Sequence, residues 1–173
     1  PSEYINQRPN FFSRVAFEKC QKFGVNINNT RLSFSAKRES LDEEDCLSFM
    51  MQLFDNEYNR FEFYSAVNCE IDDNISLSSK PDFSNSTVQK NEAFNTPNLN
   101  EILEDSNWHD IVFEFRDQVL TIKVDNVIKF SKNFKYKFKE LTEIIFVFQG
   151  NGYLKNIKIE DSKTNKLISN EYI

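Results

Sequence analysis

This chain has little glycine and proline, and few of the residues on which common catalytic motifs are built. Its 173 residues include 3 Gly, 4 Pro, 3 Cys, 1 His and 1 Trp. The sequence contains no nucleophile elbow, no phosphate-binding glycine loop and no H-E-x-x-H motif. The single histidine, His109, follows Trp108 at the start of a predicted strand, where we expect it to be structural. The composition therefore predicts a protein that is not an enzyme and needs no cofactor.

The cysteines do not form a recognisable framework. Cys20, Cys46 and Cys69 are widely spaced and odd in number, and no pair has the C-x-x-C spacing of a metal or redox site. We therefore expect neither a zinc site nor a disulfide framework. We expect Cys46 and Cys69, which flank predicted strands, to pack as small apolar side chains. The alternative that two of these cysteines form one disulfide and the third is a free thiol stays open.

The sequence also lacks long apolar runs and an excess of basic over acidic residues. No run of 18 apolar residues occurs, so the sequence predicts no membrane span. The net charge of −6 argues against a dedicated nucleic-acid binder. Much of the acidic excess lies in residues 39–45, which lack the spaced carboxylates and glycine of a calcium loop, so we expect a solvated loop and no metal site. The chain begins at Pro1 and not at Met, so we read it as an excised fragment and assign no compartment.

Phenylalanine, in contrast, is abundant. The chain has 18 Phe, and bulky aromatic side chains suit half-buried pleated surfaces. Many runs alternate apolar and polar residues, which is the period of a strand with one buried face. The run 46–54 is almost continuously apolar, as expected for a strand covered on both faces, and the run 144–148 is a continuous apolar run typical of a buried strand. Residues 11–17 fit either a short helix or an edge strand. The predicted strands are 31–37, 46–54, 60–67, 111–115, 120–124, 134–138, 144–148 and 153–159.

Asn and Asp take the place of glycine at most of the predicted turns, and Gly150 and Gly152 lie in the remaining one. We expect a hairpin loop at 55–59 and turns at 117–118, 125–126 and 150–152. Asp and Asn tolerate the left-handed backbone that tight hairpins need. These alternating runs, joined by short turns, are best buried in an all-β fold, an antiparallel β-sandwich with at most short helical turns.

The pattern stops between residues 78 and 107. This segment is polar and carries two of the four prolines, with one helical turn expected at 99–103. Neither flank offers enough strands for a sandwich core alone. We therefore expect one domain over residues 1–173, with 78–107 as a long exposed excursion.

Three motifs in the last third of the chain resemble a known group of binding domains. They are WHDI at 108–111, LTIKVD at 120–125 and GYLKNIKI at 152–159. Their order resembles that of laminin-G-like domains, and residues 120–159 are also similar to the last strands of galectins. Both belong to the concanavalin A-like jelly-roll group. The resemblance implies a jelly-roll sandwich and a non-catalytic binding module.

The residues with which those relatives bind have no counterpart here. Galectins use an H-x-N-P-R-type strand and a W-G-x-E-x-R-type strand, and neither occurs in this sequence. The laminin-G-type calcium site and its terminal disulfide have no match either. Some jelly rolls of this group are glycosidases, which need two carboxylates flanking the bond. Glu62 and Glu114 lie on predicted strands, without the E-x-D-x-E-like clustering that would favour hydrolysis.

Lysines around residues 129–139 form the most distinctive surface feature. They alternate with Phe134, Tyr136 and Phe138, so the aromatic side chains are expected to face the core. In one interpretation the lysines protect an edge strand from aggregation. In the other they bind an acidic partner, such as an acidic protein segment, a sulfated glycan or RNA. The candidate binding residues are Lys132, Lys135, Lys137 and Lys139.

The sequence alone favours a module that binds another protein or associates with itself as a homodimer. The alternative is a carbohydrate-binding lectin with a non-standard site, which predicts exposed aromatic side chains over a concave sheet face. A third hypothesis is an RNA-associated module that uses the basic segment Lys129–Lys139.

Overall fold

The described part of the chain forms two antiparallel sheets built from 13 strands, with one short 3-10 turn at Ile27–Asn29. The structure is a computed structural model that describes residues 4–5, 12–18, 24–39, 47–67, 74–78, 92–95, 106–133, 137–149 and 151–171. The strands are β1 (Tyr4–Ile5), β2 (Phe12–Glu18), β3 (Thr30–Glu39), β4 (Leu47–Asp55), β5 (Arg60–Val67), β6 (Asn74–Ser78), β7 (Glu92–Asn95), β8 (His109–Arg116), β9 (Val119–Val124), β10 (Val127–Asn133), β11 (Leu141–Gln149), β12 (Asn151–Asp161) and β13 (Leu167–Glu171).

The two sheets share the strands almost equally. The seven-stranded sheet has the order β1-β12-β3-β8-β9-β10, with β13 also paired to β12. The six-stranded sheet has the order β2-β11-β4-β5-β6-β7. Every pairing is antiparallel. The predicted all-β antiparallel sandwich is therefore confirmed.

Phenylalanine fills the space between the sheets, which explains its abundance. Phe34 of β3 meets Phe146 of β11 edge to face, with ring centroids 5.0 Å apart. Phe61 of β5 meets Phe115 of β8 at 89° and the same distance of 5.0 Å. Such edge-to-face pairs bring the positive ring edge of one side chain to the negative face of the other. Both contacts join one sheet to the other, so the aromatic side chains hold the sandwich together.

Two hairpins of the seven-stranded sheet are made without glycine. Asp117 and Gln118 join β8 to β9 with φ of 50° and 63°, and Asp125 and Asn126 join β9 to β10 with φ of 50° and 64°. Two successive residues with positive φ form the turn whose twist matches that of antiparallel strands. Both predicted turns are confirmed, and the scarcity of glycine is compatible with tight hairpins.

The segment 11–17 was left open between helix and strand, and its described residues, 12–17, belong to β2 at one edge of the six-stranded sheet. The prediction that β4 is covered on both faces is wrong. Its inward side chains Phe49, Met51 and Leu53 are fully buried, while the outward ones of Met50, Gln52 and Phe54 are half-buried. The outward side chains lie on the outer face of the sheet, and an apolar residue at such a position is not necessarily fully buried. In β11 the continuous run 144–148 is buried throughout, as expected.

The prediction of a strand at 134–138 is wrong for the residues of that range that the structure describes. β10 starts directly after the Asp125-Asn126 turn and ends at Asn133, and residues 137–139 lie in no strand. The backbone of Lys139 is held by other groups, since its N–H donates to Asp55 Oδ2 at 2.8 Å and its carbonyl accepts from Ile27 N at 3.0 Å. Phe138 is buried, as its alternation with lysine predicted.

Several strands were not predicted, and some predictions lie outside the described residues. β7 lies within the expected excursion 78–107 and pairs with β6. β6, with the sequence NISLS, alternates polar and apolar residues but is only five residues long, and it pairs with β5. β7 has four residues, EAFN, too few for a clear period. Cys20, Cys46, Cys69, most of the acidic run 39–45 and the helical turn at 99–103 lie outside the described residues. Among the described residues, no helix has the length and apolarity needed to cross a membrane.

Candidate functional site

Three polar side chains form a connected cluster on the outer face of the six-stranded sheet. Gln52 on β4 and Glu62 on β5 are directly opposite each other in the antiparallel register. Gln52 Nε2 donates to Glu62 Oε2 at 2.6 Å, and Arg60 Nη1 lies 3.4 Å from the same oxygen. We call Gln52, Arg60 and Glu62 the Glu62 cluster. Because cross-strand and same-face neighbours carry the three groups, the backbone of the hairpin fixes their arrangement.

The Arg60 guanidinium is incompletely satisfied in this cluster. Its Nε is buried and has no hydrogen-bond partner among the described residues. The rest of the side chain remains accessible, with 38% of its surface exposed, whereas Glu62 is 19% exposed. A buried donor without an acceptor costs free energy, so this Nε calls for an acceptor beyond the described residues, such as water or another part of the chain.

Half-buried apolar and aromatic side chains surround the cluster. Met50 is opposite Tyr64 on one side, and Phe54 is opposite Arg60 on the other. Gln52 Nε2 also lies 3.6 Å from Met50 Sδ. A few fixed polar groups within an apolar surround are typical of small-molecule sites. In the register, β6 continues the same rows of the sheet, with Ser76 opposite Glu62 and Asn74 opposite Tyr64.

The cluster presents both kinds of hydrogen-bonding group in one place. The carboxylate of Glu62 accepts, while the guanidinium of Arg60 donates, and the Gln52 amide does both. A vicinal pair of sugar hydroxyls needs this mixture, because each hydroxyl both donates and accepts. No motif in the sequence marked Gln52 or Arg60. The one available signal was the predicted hairpin 46–67, whose pairing places these residues on the same outer face.

The outer face of the seven-stranded sheet carries an aromatic and basic group. Lys155 Nζ lies 3.7 Å from the centroid of the Trp108 ring, and Lys37 Nζ lies 5.3 Å from that of Tyr153. The Trp108 and Tyr153 rings meet at 66° with centroids 6.4 Å apart. The lectin interpretation predicted exposed aromatic side chains, but Trp108, Tyr153 and Tyr64 are all half-buried. One face of Trp108 is occupied by an ammonium group, which the ring attracts electrostatically.

His109 has the structural position that its sequence context predicted. It is 9% exposed, and its Nδ1 lies 2.7 Å from Asp125 Oδ2. The other oxygen of Asp125 accepts from the Asp110 N–H at 2.9 Å. His109 and Asp125 thereby tie the start of β8 to the turn between β9 and β10.

The candidate lysines do not line one strand. Lys132 is exposed on the edge strand β10, Lys137 and Lys139 are exposed in the segment before β11, and Lys135 lies outside the described residues. Lys137 lines a 350 Å³ pocket together with Lys163 and Asp117. Lys163 Nζ lies 3.3 Å from Asp117 Oδ1, which offsets part of the positive charge. A binding role for these lysines stays a prediction.

The two carboxylates considered for glycoside hydrolysis lie on opposite sides of the molecule. Glu62 is on the outer face of the six-stranded sheet, and Glu114 is on the outer face of the seven-stranded sheet, bonded to Arg31 Nη2 at 2.7 Å. The whole hydrophobic core separates them, so they do not flank one glycosidic bond. Within the described part of the chain, no three His, Cys, Asp or Glu side chains are grouped as metal ligands.

Comparisons with known proteins identify the fold. No family model and no curated protein matches the sequence. Among solved structures, a tetrameric galectin from Cinachyrella sp., a ball sponge, is 8% identical, with 84% of this chain and 97% of its own covered and a TM-score of 0.56. Congerin II, liganded with lactose and MES, is 13% identical over 86% of this chain and 100% of its own, with a TM-score of 0.54. A family 16 glycoside hydrolase from Bacteroides ovatus, in complex with a G4G4G3G product, is 15% identical over 82% of this chain and 71% of its own, with a TM-score of 0.54.

These likenesses show a concanavalin A-like jelly roll of the kind found in galectins, as the motifs of the last third implied. At such low identities they show the fold alone. Because a glycoside hydrolase shares it, the fold by itself does not decide between binding and catalysis.

Proposed function

We propose that this chain is a carbohydrate-binding module, that residues 1–173 form one domain, and that its saccharide site is the Glu62 cluster. The similar structures include one bound to lactose and one bound to an oligosaccharide product, which supports a saccharide ligand better than the protein partner favoured by the sequence. The exposed part of the Arg60 side chain beside Glu62 carries the proposal, since Arg60 Nη1 lies 3.4 Å from Glu62 Oε2 and Arg60 is 38% exposed. A sugar hydroxyl placed against these two groups accepts from the guanidinium and donates to the carboxylate.

The module is proposed to bind without cleaving. Glu62 is already held by Gln52 and Arg60 as a hydrogen-bond acceptor, and Glu114 lies on the other sheet. Incubating the protein with lactose and with a mixed-linkage glucan, followed by chromatography of the products, tests this. We expect no hydrolysis. Cleavage lost in Glu62→Gln would show that this carboxylate acts in catalysis and would contradict the proposal.

A glycan array with matched variants tests the site. The array carries neutral and sulfated oligosaccharides, including lactose and mixed-linkage glucan fragments. We expect saturable binding to neutral saccharides by the wild type, and an affinity lowered about 10- to 100-fold in Glu62→Gln, since a hydrogen bond to a charged group contributes about 1.5–3 kcal/mol. The control is Glu114→Gln, because Glu114 is also a part-buried carboxylate paired with an arginine on an outer sheet face. It should bind like the wild type.

Two results would contradict this function. One is the absence of saturable binding on the whole array while the protein remains folded. The other is an equal loss of affinity in Glu62→Gln and Glu114→Gln, which would indicate a general structural effect. Recovery of a protein ligand with the first result would restore the protein-binding hypothesis.

Self-association is a further part of the proposal. One similar structure is tetrameric. On this chain the edge strand β10 exposes Val127 and Ile128, at 55% and 60%. Sedimentation velocity over a range of concentrations should detect a dimer, and Ile128→Lys should weaken it. A monomer at every concentration would contradict this part alone.

A further inference from the structure

A second polar depression lies on the opposite side of the molecule from the Glu62 cluster. It has a volume of 450 Å³ and opens on the outer face of the seven-stranded sheet, where β12, β3 and β8 are neighbours. Small-molecule pockets commonly measure about 300–1,000 Å³. The polar side chains that line it and that the argument uses are Ser33, Ser35, Asp110, Asn156 and Lys158. We call it the Asp110 depression.

A β-bulge in β12 creates one wall of the depression. The register between β12 and β3 shifts between Lys155 and Lys158, and Asn156 within the shift has a φ of 57°. The extra residue breaks the regular alternation and redirects a side chain, as bulges do next to functional sites. Asn156 Nδ2 consequently lies 3.4 Å from Ser35 Oγ on the neighbouring strand.

Three of the polar groups of the depression are joined by hydrogen bonds. Ser35 is 5% exposed, and its Oγ donates to Asp110 Oδ1 at 2.7 Å. Asn156, Ser35 and Asp110 thus form a chain of hydrogen bonds across three strands. Such a chain holds the carboxylate of Asp110 in one orientation, which lowers the entropy lost when a ligand binds.

Charge and polarity indicate the class of ligand. The depression contains one carboxylate, from Asp110, and one ammonium group, from Lys158, so it favours neither an anion nor a cation. Half-buried Val112 gives the floor a small apolar area between the polar groups. A pyranose ring matches this arrangement, because its C–H groups are apolar and its hydroxyls point outward as donors and acceptors.

We propose that the Asp110 depression is a second saccharide-binding site, which takes one sugar unit of a neutral oligosaccharide. The module then has sites on the outer faces of both sheets. A single chain with two opposed sites links two glycans without forming an oligomer, and linked binding events raise avidity. This site shares no residue with the Glu62 cluster, so either site can fail without the other.

Amide NMR titrations with lactose and with a mixed-linkage glucan tetrasaccharide test the second site. The protein used is Glu62→Gln, in which the first site is weakened. We expect saturable shifts at Ser33, Ser35 and Asn156. Asn156→Gly keeps a residue that adopts positive φ and removes the amide, so it should lower the affinity about two- to tenfold, the effect of losing one neutral hydrogen bond. Thr121→Ala, on the same face but outside the depression, is the matched control and should leave the affinity unchanged.

Three outcomes would overturn the second site. They are the absence of saturable shifts with both saccharides, an unchanged affinity in Asn156→Gly, and stronger shifts with inorganic sulfate than with either saccharide. The last would identify an anion site built on Lys158. The first of these outcomes, together with shifts restricted to the Glu62 cluster in the wild type, would support the first site alone.

Discussion

Gly152 lies directly beneath the ring of Phe148. A Cβ on Gly152 would be 2.0 Å from Phe148 Cδ1, a separation that non-bonded carbon atoms do not adopt. β11 ends at Gln149 and β12 starts at Asn151, in different sheets, so the chain crosses the sandwich between them. Phe148 packs on Phe49 at 5.0 Å on the core side of this crossing. The first residue of the GYLKNIKI motif is therefore glycine for reasons of space.

We expect Gly152→Ala to lower the free energy of unfolding by about 1–3 kcal/mol, because the added methyl group must displace a buried aromatic ring. Urea denaturation measures this. The loss should be smaller when the same change is made in a Phe148→Leu background, where the ring is absent. Equal losses in the two backgrounds would show that the two residues are not coupled and would contradict the steric explanation.

Substitutions of Asn156 test whether the β-bulge in β12 requires the left-handed backbone conformation at this position. Asn adopts a φ of 57° at low cost, Gly adopts it freely, and Ala does so at a cost of about 1–2 kcal/mol. We therefore expect Asn156→Ala to be less stable than Asn156→Gly by about 1 kcal/mol in denaturant unfolding. Equal stability of the two variants, or a more stable alanine variant, would show that the bulge does not impose this conformation.

Asp55 holds the β4–β5 hairpin to the segment before β11. It is 1% exposed, and its Oδ1 accepts from the N–H groups of Glu57 and Asn59 at 2.9 and 2.8 Å. Its Oδ2 accepts from Asn59 Nδ2 and from Lys139 N, both at 2.8 Å. Four donors therefore meet one carboxylate, and the Lys139 contact joins two loops that are distant in sequence.

Asp55→Asn should lower the free energy of unfolding by about 2–4 kcal/mol, since an amide presents an NH₂ group to donors that need an acceptor. Glu57→Gln, in the same loop, removes an exposed carboxylate and is expected to change stability by less than about 0.5 kcal/mol. Thermal and urea unfolding of the three proteins provide the comparison. A wild-type stability for Asp55→Asn would contradict the role assigned to this carboxylate.

Charge reversal separates the lysine hypothesis from the saccharide sites. A triple variant combines Lys132→Glu, Lys137→Glu and Lys139→Glu. We expect its affinity for neutral saccharides to stay within about twofold of the wild-type value. Neither proposed site contains these lysines, and interactions between exposed charges are screened. The same variant should lose any retention on a heparin column at low salt. A large loss of neutral saccharide binding, measured by calorimetry, would place these lysines in the site.

The regular strands were predictable, whereas the functional faces were not. The alternation of Leu32, Phe34 and Ala36 marks a strand because burial on one face imposes a period of two. Gln52, Arg60 and Glu62 carry no such mark, because an outer face tolerates many polar residues and only the strand register joins these three. The strand predicted in the lysine-rich segment was wrong for residues 137–139. Lysine and phenylalanine alternate there, but these residues pair with no neighbouring strand. Long-range pairing, as between Lys139 and Asp55, leaves no local pattern.

Asp161 makes the turn between β12 and β13 sensitive to acid. Its Oδ1 accepts from Thr164 N at 2.7 Å, from Thr164 Oγ1 at 2.9 Å and from Lys163 N at 3.0 Å. These bonds favour the ionised form, chiefly the backbone N–H of Thr164, and they lower the pKa of Asp161 below its ordinary value of 3.8. A lowered pKa in the folded state means that the carboxylate stabilises the fold above the unfolded pKa and loses this contribution as the pH falls through the folded pKa.

The turn should therefore weaken only in acid, and carbon-detected NMR titration of the Asp161 carboxyl group should show a midpoint below 3.8. Thr164→Val removes the hydroxyl donor and keeps the backbone donor, so its midpoint should move part of the way back toward 3.8. Asp161→Asn should be less stable than the wild type at neutral pH, and this difference should diminish once the wild-type carboxyl group is protonated. A midpoint at or above 3.8 would contradict the proposed stabilisation of the carboxylate by Thr164.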